Sequence, residues 1–160
     1  MTDIIPYSQA EIEKIGSAAE AANVAQVAKM AHEFYQAKDN QVLAQRAKEI
    51  YMRSARRAGQ LLLEVEREQG KRTDLTSIEF KRSSYQEALE GAGITTYIAN
   101  QWQKLAGIPQ DKFDGYMTDP KHEWTEYTIP GLLRYAKDNP DEEPTKCTCP
   151  ECGRVHNRKE

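Results

Sequence analysis

Apolar residues recur every three or four positions along the first third of the chain, which is the spacing of one face of an α-helix. Ser8 and Glu11 form a capping box at the start of this pattern, because each side chain can satisfy a backbone N–H group of the other residue. Alanines and branched residues continue the stripe to Phe34, with a change of phase near Asn23. The pattern therefore predicts a helix after Ser8, with a bend or short break allowed at Asn23.

A second helix is predicted between the polar turn at Asp39 and Asn40, either of which can cap it, and Gly70. Its apolar stripe consists of Leu43, Ala47, Ile50, Ala58, Leu61, Leu62 and Val65. Residues 1–70 are therefore expected to form a long helical hairpin. Because two helices cannot bury such a stripe by themselves, the hairpin must pack on the rest of the chain or on a second copy. We expect a homodimer.

The segment from residue 84 to residue 105 has the layout of a helix-turn-helix, in which a glycine turn joins two short helices. Gly93 can adopt the left-handed backbone of such a turn, and Thr95 or Thr96 can cap the helix that follows. In this motif the second helix enters the major groove of DNA. The side chains expected to face inward from it are Ile98, Ala99, Trp102 and Leu105. Two ordinary core helices with polar outer faces would give the same pattern.

The opposite face of this second helix is polar and carries side chains suited to base recognition. Asn100 and Gln101 can each pair bidentately with adenine, and the methyl group of Thr96 can contact that of thymine. The free N–H groups at the start of the first helix, near Ser84, are available to a phosphate. The DNA-contacting residues predicted in this region are Ser84, Thr95, Thr96, Tyr97, Asn100, Gln101 and Lys104.

Charge is distributed unevenly along the 160 residues, although the net charge is only −3. Residues 46–82 contain ten Lys and Arg against six Asp and Glu, a net charge of +4, while residues 1–45 and 83–160 carry −3 and −4. The positive segment includes a basic joint, residues 71–83, directly before the helix-turn-helix. It indicates an anionic partner. Phosphate contacts are expected from Arg53, Arg56, Arg57, Lys71, Arg72, Lys81 and Arg82.

The arginines at positions 53, 56 and 57 have an equally good alternative interpretation. They would also suit a solvated helix flank, with exposed ion pairs to nearby glutamates that contribute little to stability. Residues 83–105 weigh against DNA contact, because Glu87, Glu90 and Lys104 give them a net charge of −1. A unit that enters a groove usually brings its own positive charge.

A resemblance to a family of small phage, prophage and mobile-element proteins rests on two segments of the sequence. They are AKEIYMRSARRAGQLLLEVE at residues 47–66 and GITTYIANQWQKLAGIPQDKFDGYM at residues 93–117. The family shares an arginine-rich helix of the RAxRRAGELL type, then a helix-turn-helix containing SSRWQKLA. The resemblance spans residues 30–118 and implies a DNA-binding or regulatory role in a bacterium or its virus. Where many relatives have Ser-Ser-Arg, residues 99–101 read Ala-Asn-Gln and lack an arginine that could contact DNA. The matching residues are Gly93, Ile94, Trp102, Gln103, Lys104 and Leu105.

Three cysteines and a histidine near the end of the chain have the spacing of a zinc knuckle. The pattern Cys-x-Cys-x2-Cys-x3-His supplies three thiolates and one imidazole, enough for a closed tetrahedral site. Because the segment is too short and polar to form a core, a structural zinc ion would order it. The alternative is a metal-free tail with reduced thiols. The predicted ligands are Cys147, Cys149, Cys152 and His156.

The patterns together predict an all-α chain, since no segment alternates convincingly as a strand does. We find no phosphate-binding glycine loop, no His-Glu-x-x-His motif and no Gly-x-Ser-x-Gly elbow, and therefore expect no catalysis. A signal peptide and an apolar run long enough to cross a membrane are also lacking, which favours a cytoplasmic protein. The expected units are a hairpin at 1–70, the basic joint at 71–83, the helix-turn-helix and following helices at 84–137, an acidic linker at 138–146 and the zinc knuckle at 147–160.

The function these features favour is a sequence-specific or architectural DNA-binding regulator of a phage or mobile element, with double-stranded DNA as partner. A protein-interaction module, such as an inhibitor or adaptor of a host protein complex, is the main alternative, indicated by the acidic ends of the chain. RNA binding through the same arginines is a less favoured possibility.

Overall fold

The computed structural model describes residues 7–69, 84–119 and 127–139, with the backbone of two short strands at 147–148 and 155–156. The helices of these ranges confirm the all-α class. They are α1 (Gln9–Lys14), α2 (Ala18–Ala37), α3 (Gln41–Gln69), α4 (Ser84–Ala92), α5 (Thr96–Ala106), α6 (Gln110–Thr118) and α7 (Ile129–Asp138). The strands β1 (Cys147–Thr148) and β2 (Val155–His156) were not expected from the sequence. No helix within the described ranges is long and apolar enough to cross a membrane.

The first predicted helix is broken between Lys14 and Ala18, and not at Asn23 where its apolar positions change phase. The capping box is present, because the Ser8 backbone N–H donates to Glu11 Oε2 at 2.7 Å and the Glu11 N–H donates to Ser8 Oγ at 3.4 Å. Helix α1 then ends at Lys14, and α2 runs without a break through Asn23. The change of phase instead reflects a wider buried face, since α2 packs against both α3 and α4.

Helices α2 and α3 are joined by a short turn and pack against each other. Asn40 is the residue that caps α3, because its Oδ1 accepts a hydrogen bond from the Leu43 N–H at 3.2 Å. Asp39 takes the left-handed backbone of the turn, with φ of 54°. Buried alanines on both helices let them approach closely, and His32 Nδ1 lies 2.9 Å from the Ala44 carbonyl oxygen across the seam.

The apolar stripe of α3 is covered by the chain's own helices. Helix α3 packs mainly against α2 and α5 and also contacts α1 and α4. Of the two ways to bury the stripe, packing on the rest of the chain is therefore the one observed. Some apolar side chains of α2 still face solvent, namely Val27, Met30 and Phe34, and Met30 is the most exposed of them at 68%.

The contact between α3 and α5 depends on Gly59. A Cβ atom at this position would overlap the carbonyl oxygen of Trp102 and lie 2.9 Å from the Gln103 nitrogen. Because the obstructing atoms belong to backbone, they cannot move aside as the end of a side chain could. The absence of a side chain at Gly59 thus lets α5 lie directly on α3, with Trp102 and Leu105 buried between them.

We predict that Gly59→Ala destabilises the protein by about 1–3 kcal/mol, because the added methyl group forces two helix backbones apart. This outcome opposes intrinsic helix propensity, which favours Ala over Gly by about 1 kcal/mol. Gly91→Ala is the matched control, since a Cβ there meets no atom within 4 Å. Urea unfolding of both variants measures the effect. If Gly59→Ala were as stable as Gly91→Ala, the close crossing of α3 and α5 would be refuted.

Candidate nucleic-acid interface

The turn between α4 and α5 has the geometry that the sequence predicts. Gly93 has φ of +62°, its N–H donates to the Glu90 carbonyl at 3.0 Å, and the Ile94 N–H donates to the Leu89 carbonyl at 3.2 Å. This pair of bonds is a Schellman motif, which ends a helix through a left-handed residue. Thr95, rather than Thr96, caps α5, because its Oγ1 accepts from the Ile98 N–H at 3.4 Å.

Helices α4 and α5 are held in this arrangement by α3. Leu62 of α3, Leu89 of α4 and Ala99 of α5 form one buried cluster, with Ile94 of the turn packed against it. The cluster makes α3, α4 and α5 a three-helix unit. A helix-turn-helix needs such a third helix, because its two short helices cannot bury their apolar faces alone.

One residue of the inward face of α5 is not covered. Ala99, Trp102 and Leu105 are buried as expected, but Ile98, predicted to face inward, is 37% exposed. Ile98 lies on the same side of the helix as Trp102 and Leu105, within about 40° of each, so its direction is as predicted. It stays exposed because it borders a groove beside the start of α7 that no other side chain of the described residues fills.

The polar face of α5 points away from the core, as expected. Thr96, Tyr97, Asn100 and Lys104 are exposed, and Gln101 is partly buried. Tyr97 is the most exposed of the aromatic side chains here, at 72%. The helix thus presents a row of hydrogen-bonding groups on the side opposite Trp102.

The structure describes the remaining residues of the predicted interface only in part. Ser84 is the first residue of α4, so the N-terminus of this helix lies where it was predicted. The side chain of Ser84 falls outside the described part of the structure. The same is true of the basic joint, with Lys71, Arg72, Lys81 and Arg82.

Arg53 is buried in an ion-pair network rather than turned toward solvent. Its side chain is only 10% exposed, and its guanidinium contacts Glu49 Oε1 at 3.0 Å and Asp114 Oδ1 of α6 at 2.9 Å. Gln110 Nε2 donates to the other carboxylate oxygen of Asp114 at 2.6 Å. Burial acts to raise the pKa of Asp114, but the hydrogen bonds from Gln110 and Arg53 hold it below its usual value.

Arg56 is the most buried of the three arginines, at 8% exposure. Its Nη2 donates to the Ile108 carbonyl at 2.8 Å, its Nη1 donates to Gln110 Oε1, and its guanidinium carbon lies 4.9 Å from the centre of the Phe113 ring. Burial lowers the pKa of Arg56, and the negative charge of Asp114 acts in the opposite direction. An arginine stays protonated despite such burial.

Arg57 completes the cluster by contacting the N-terminal segment. Its Nε donates to the Ile15 carbonyl at 2.9 Å, just after the end of α1, and its Nη1 lies 3.5 Å from Gln60 Oε1. The three arginines share one face of α3, as their spacing predicts, but α1 and α6 cover that face. Arg53 and Arg56 are therefore directed at protein acceptors rather than at solvent in the described structure. The pairing of Arg53 with Glu49 agrees with the alternative interpretation, which expected ion pairs to nearby glutamates.

The partners of these arginines were not recognised in the sequence. Gln110, Phe113 and Asp114 recur at helical spacing, so they share one face of α6. That spacing was a usable signal for a contact face. It does not say which distant element the face meets, because Arg53 and Asp114 are 61 residues apart along the chain.

The cysteine-rich tail contributes one structural observation. Strands β1 and β2 pair antiparallel, with Cys147 opposite His156 and Thr148 opposite Val155. Two of the four predicted zinc ligands therefore occupy one register position. Cys149 and Cys152 lie in the connection between the strands, outside the described residues.

We predict that Asp114→Asn lowers the free energy of unfolding at pH 7 by about 1 kcal/mol, through loss of the ion pair to Arg53. A carboxylate with a lowered folded pKa stabilises the protein above its unfolded pKa of about 3.9, and this contribution disappears as pH falls through the folded pKa. The difference between wild type and variant should therefore shrink toward zero as pH falls below the unfolded pKa and through the lower folded pKa of Asp114.

Urea unfolding at several pH values measures this difference, with Glu33→Gln on the exposed side of α2 as a matched carboxylate-to-amide control. A difference in stability that does not shrink as pH falls below the unfolded pKa of Asp would contradict the ion pair.

The chain has no recognisable relative among the proteins compared with it. No protein-family model, no curated protein sequence and no solved structure matches it. What the molecule does is therefore inferred from its own side chains and their arrangement.

Proposed function

We propose that the protein is a DNA-binding regulator of a phage or mobile element, without catalytic activity, in which α4, the Gly93 turn and α5 act as a helix-turn-helix. The observation that carries this proposal is the Schellman turn at Gly93, followed by a helix that buries Trp102 and exposes Asn100 on opposite sides. This combination is what a recognition helix requires, because it must be held firmly while its polar side enters the major groove. The resemblance to phage and mobile-element proteins supports the same function.

The exposed side chains of α5 suit different parts of a DNA duplex, some the base edges and some the backbone. Asn100 and Gln101 offer a donor and an acceptor to the edge of adenine, and Thr96 offers a methyl group and a hydroxyl. Tyr97 and Lys104 lie on either side of Asn100 and Gln101 along this exposed row and suit contacts to sugar and phosphate. Gln101 is partly buried by its neighbours and is therefore already restricted in its rotamers.

In this proposal the contacts to DNA phosphates are made by residues outside α3. Arg53 and Arg56 are committed to protein acceptors, so their positive charge is not available to DNA. The basic joint between α3 and α4 takes this role, because it leads directly into the first helix of the motif. Lys71, Arg72, Lys81 and Arg82 are the residues we assign to it, together with Lys104 and the N-terminus of α4.

A homodimer belongs to the proposal, since helix-turn-helix proteins commonly read two half-sites related by a two-fold axis. The stripe of α3 that suggested dimerisation is occupied by α5 within one chain. Any pairing of copies therefore uses a different surface.

A structural zinc ion in the tail is a second part of the proposal. The cross-strand register supports it, because directly opposed residues in an antiparallel pair have Cβ atoms about 4.5–5.5 Å apart and on the same side of the ladder. Cys147 and His156 are so opposed. Cys149 and Cys152 in the connection would complete a Cys3His set.

A protein-interaction module remains the second candidate, and one observation favours it. Tyr97 and Ile98 border a groove of about 370 Å³ between α3, α5 and the start of α7, whose walls include Tyr51, Trp102 and Tyr127. Aromatic walls of this kind suit a peptide of a host protein complex. We prefer DNA binding because a peptide bound in this groove would not account for the long row of polar side chains on α5.

We predict that Asn100→Ala and Gln101→Ala each weaken binding to the preferred duplex by about 1–3 kcal/mol while leaving the fold intact. The preferred duplex is first selected from a random library, and its affinity is then measured by fluorescence anisotropy. Gln36→Ala, on an exposed site of α2, is the matched control and should not change the affinity.

Replacing Lys71, Arg72, Lys81 and Arg82 by Gln should weaken all duplexes alike and reduce the salt dependence of binding, since fewer counterions are released. Failure to select or bind any duplex at low salt would remove the DNA proposal and favour the interaction module. Melting of the domain by Asn100→Ala would show that the exposed face of α5 is wrongly assigned.

We predict one zinc ion per chain, held by the four ligands of the tail. Elemental analysis of the purified protein should give one equivalent for wild type, and less for Cys149→Ser, Cys152→Ser and His156→Ala. His122→Ala, outside the ligand pattern, is the control and should keep the full equivalent. Equal zinc in every variant would exclude these ligands.

A further inference from the structure

Helix α2 carries a row of apolar side chains on the side that faces away from the core. Val27, Met30 and Phe34 are 46%, 68% and 49% exposed, and Ala37 at the end of the helix is exposed as well. These four residues are termed the α2 stripe. Isolated apolar residues on a surface need no explanation, but contiguous ones mark a contact site. None of the contacts proposed for DNA uses this surface.

The spacing of the α2 stripe is that of a coiled-coil seam. Its members follow one another at intervals of three, four and three residues, and Asn23 and Glu20 continue the series toward the start of the helix. Such a repeat keeps side chains on one line, so that a second helix can lie against all of them. The opposite face, with Ala25 and Ala28, is buried against the chain's own helices. The stripe is therefore a packing face that no described helix occupies.

Two residues of opposite charge flank the two ends of the stripe. Glu20 lies in the first turn of α2, and Lys38 directly follows its last residue. The positions are five helical turns apart, so both side chains leave the helix in about the same direction. Among the described residues neither forms an ion pair. The Lys38 Nζ lies 5.9 Å from the centre of the Phe34 ring, at the edge of the stripe.

These charges make the stripe complementary to itself in one orientation. When two copies of α2 lie antiparallel about a two-fold axis, the same flank of each helix faces its counterpart. If Val27 opposes the partner's Met30, then Phe34 opposes the partner's Asn23, because the same intervals repeat along both helices. In this register Glu20 is one residue away from lying opposite the partner's Lys38. The symmetry forms this ion pair twice.

Other arrangements of the stripe lack this complementarity. A parallel pair would place Glu20 against the partner's Glu20 and Lys38 against the partner's Lys38, and opposed like charges disfavour association. Glu33 is also exposed on α2, close to Met30. Two carboxylates beside the stripe disfavour the anionic surface of a membrane. A second copy supplies both matching charges by symmetry, whereas an unrelated helix would need to match them independently.

We propose that the α2 stripe is the contact between two copies of this chain, packed antiparallel about a two-fold axis close to Val27 and Met30. The inference rests on the homodimer of the proposed function and supplies the surface that it uses. The stripe shares no residue with the exposed row of α5, so the recognition helix of each copy keeps its polar side chains for DNA.

Sedimentation velocity of the full chain over a range of micromolar concentrations tests the contact. We expect a reversible equilibrium between monomer and dimer. Met30→Glu should raise the dissociation constant roughly tenfold or more, because it places two carboxylates in an apolar contact. Gln36→Glu is the matched control, since it adds the same charge about 180° around the helix from Val27 and should leave the dissociation constant unchanged.

Reversal of the flanking charges tests the orientation. Glu20→Lys and Lys38→Glu should each weaken the dimer, since either change opposes like charges at both ends of the contact. The two changes combined in one chain should restore the affinity of the wild type, because the ion pairs form again with their charges exchanged. In a parallel dimer, no variant of this set would differ from the wild type. A double variant as weak as the single ones would overturn the antiparallel register.

Far-UV circular dichroism of each variant shows whether it is folded, and exposed positions such as Met30 should tolerate the change. A wild type that is monomeric at every concentration, or a Met30→Glu variant that dimerises as the wild type does, would overturn the proposal. Fluorescence anisotropy with duplex DNA separates this outcome from the proposed function. A monomeric wild type that binds DNA would refute only the α2 contact, whereas a dimer that binds no duplex would refute only DNA binding.

Discussion

The arrangement of the described helices depends on one close contact between backbones, the crossing of α3 and α5 at Gly59. Because no side chain separates the two helices there, α5 can be turned in only one way, with Trp102 against α3. That rotation decides which residues of α5 remain accessible. The proposed recognition surface thus depends on an interior glycine that lies outside it, and the outward position of Asn100 follows from the packing of Trp102.

A second constraint comes from the arginines of α3, which connect segments that are far apart in sequence. Arg53 contacts α6, Arg56 contacts the connection between α5 and α6, and Arg57 contacts the residue after α1. Each guanidinium offers several donors in a plane, so one side chain can satisfy carbonyl and carboxylate oxygens from different elements. A cluster of positive charge in a helix can therefore serve the cohesion of a small helical protein, whose apolar core is rich in alanine.

Local features of this molecule were predictable from the sequence, and long-range partners were not. The capping box at Ser8, the turn at Gly93 and the buried position of Trp102 follow from chemistry within a few residues. The exposure of Ile98 and the pairing of Arg53 with Asp114 depend on where α6 and α7 lie. Helical spacing fixes the direction of a side chain about its own axis, but it carries no information about which helix covers that direction. The short strands of the tail are not predictable from the sequence, because two residues are too few to show an alternation of apolar and polar positions.

Helix α1 has only six residues, fewer than the roughly 12–15 that an isolated helix needs to persist in water. It therefore exists only while Ile12 and Ile15 are docked and while Arg57 holds the Ile15 carbonyl. Release of this arm would be a local opening, separate from unfolding of the core. Residues of α1 form one wall of the cleft between α1, α3 and α6, so docking of the N-terminal arm decides whether that face of α3 is covered or open to solvent.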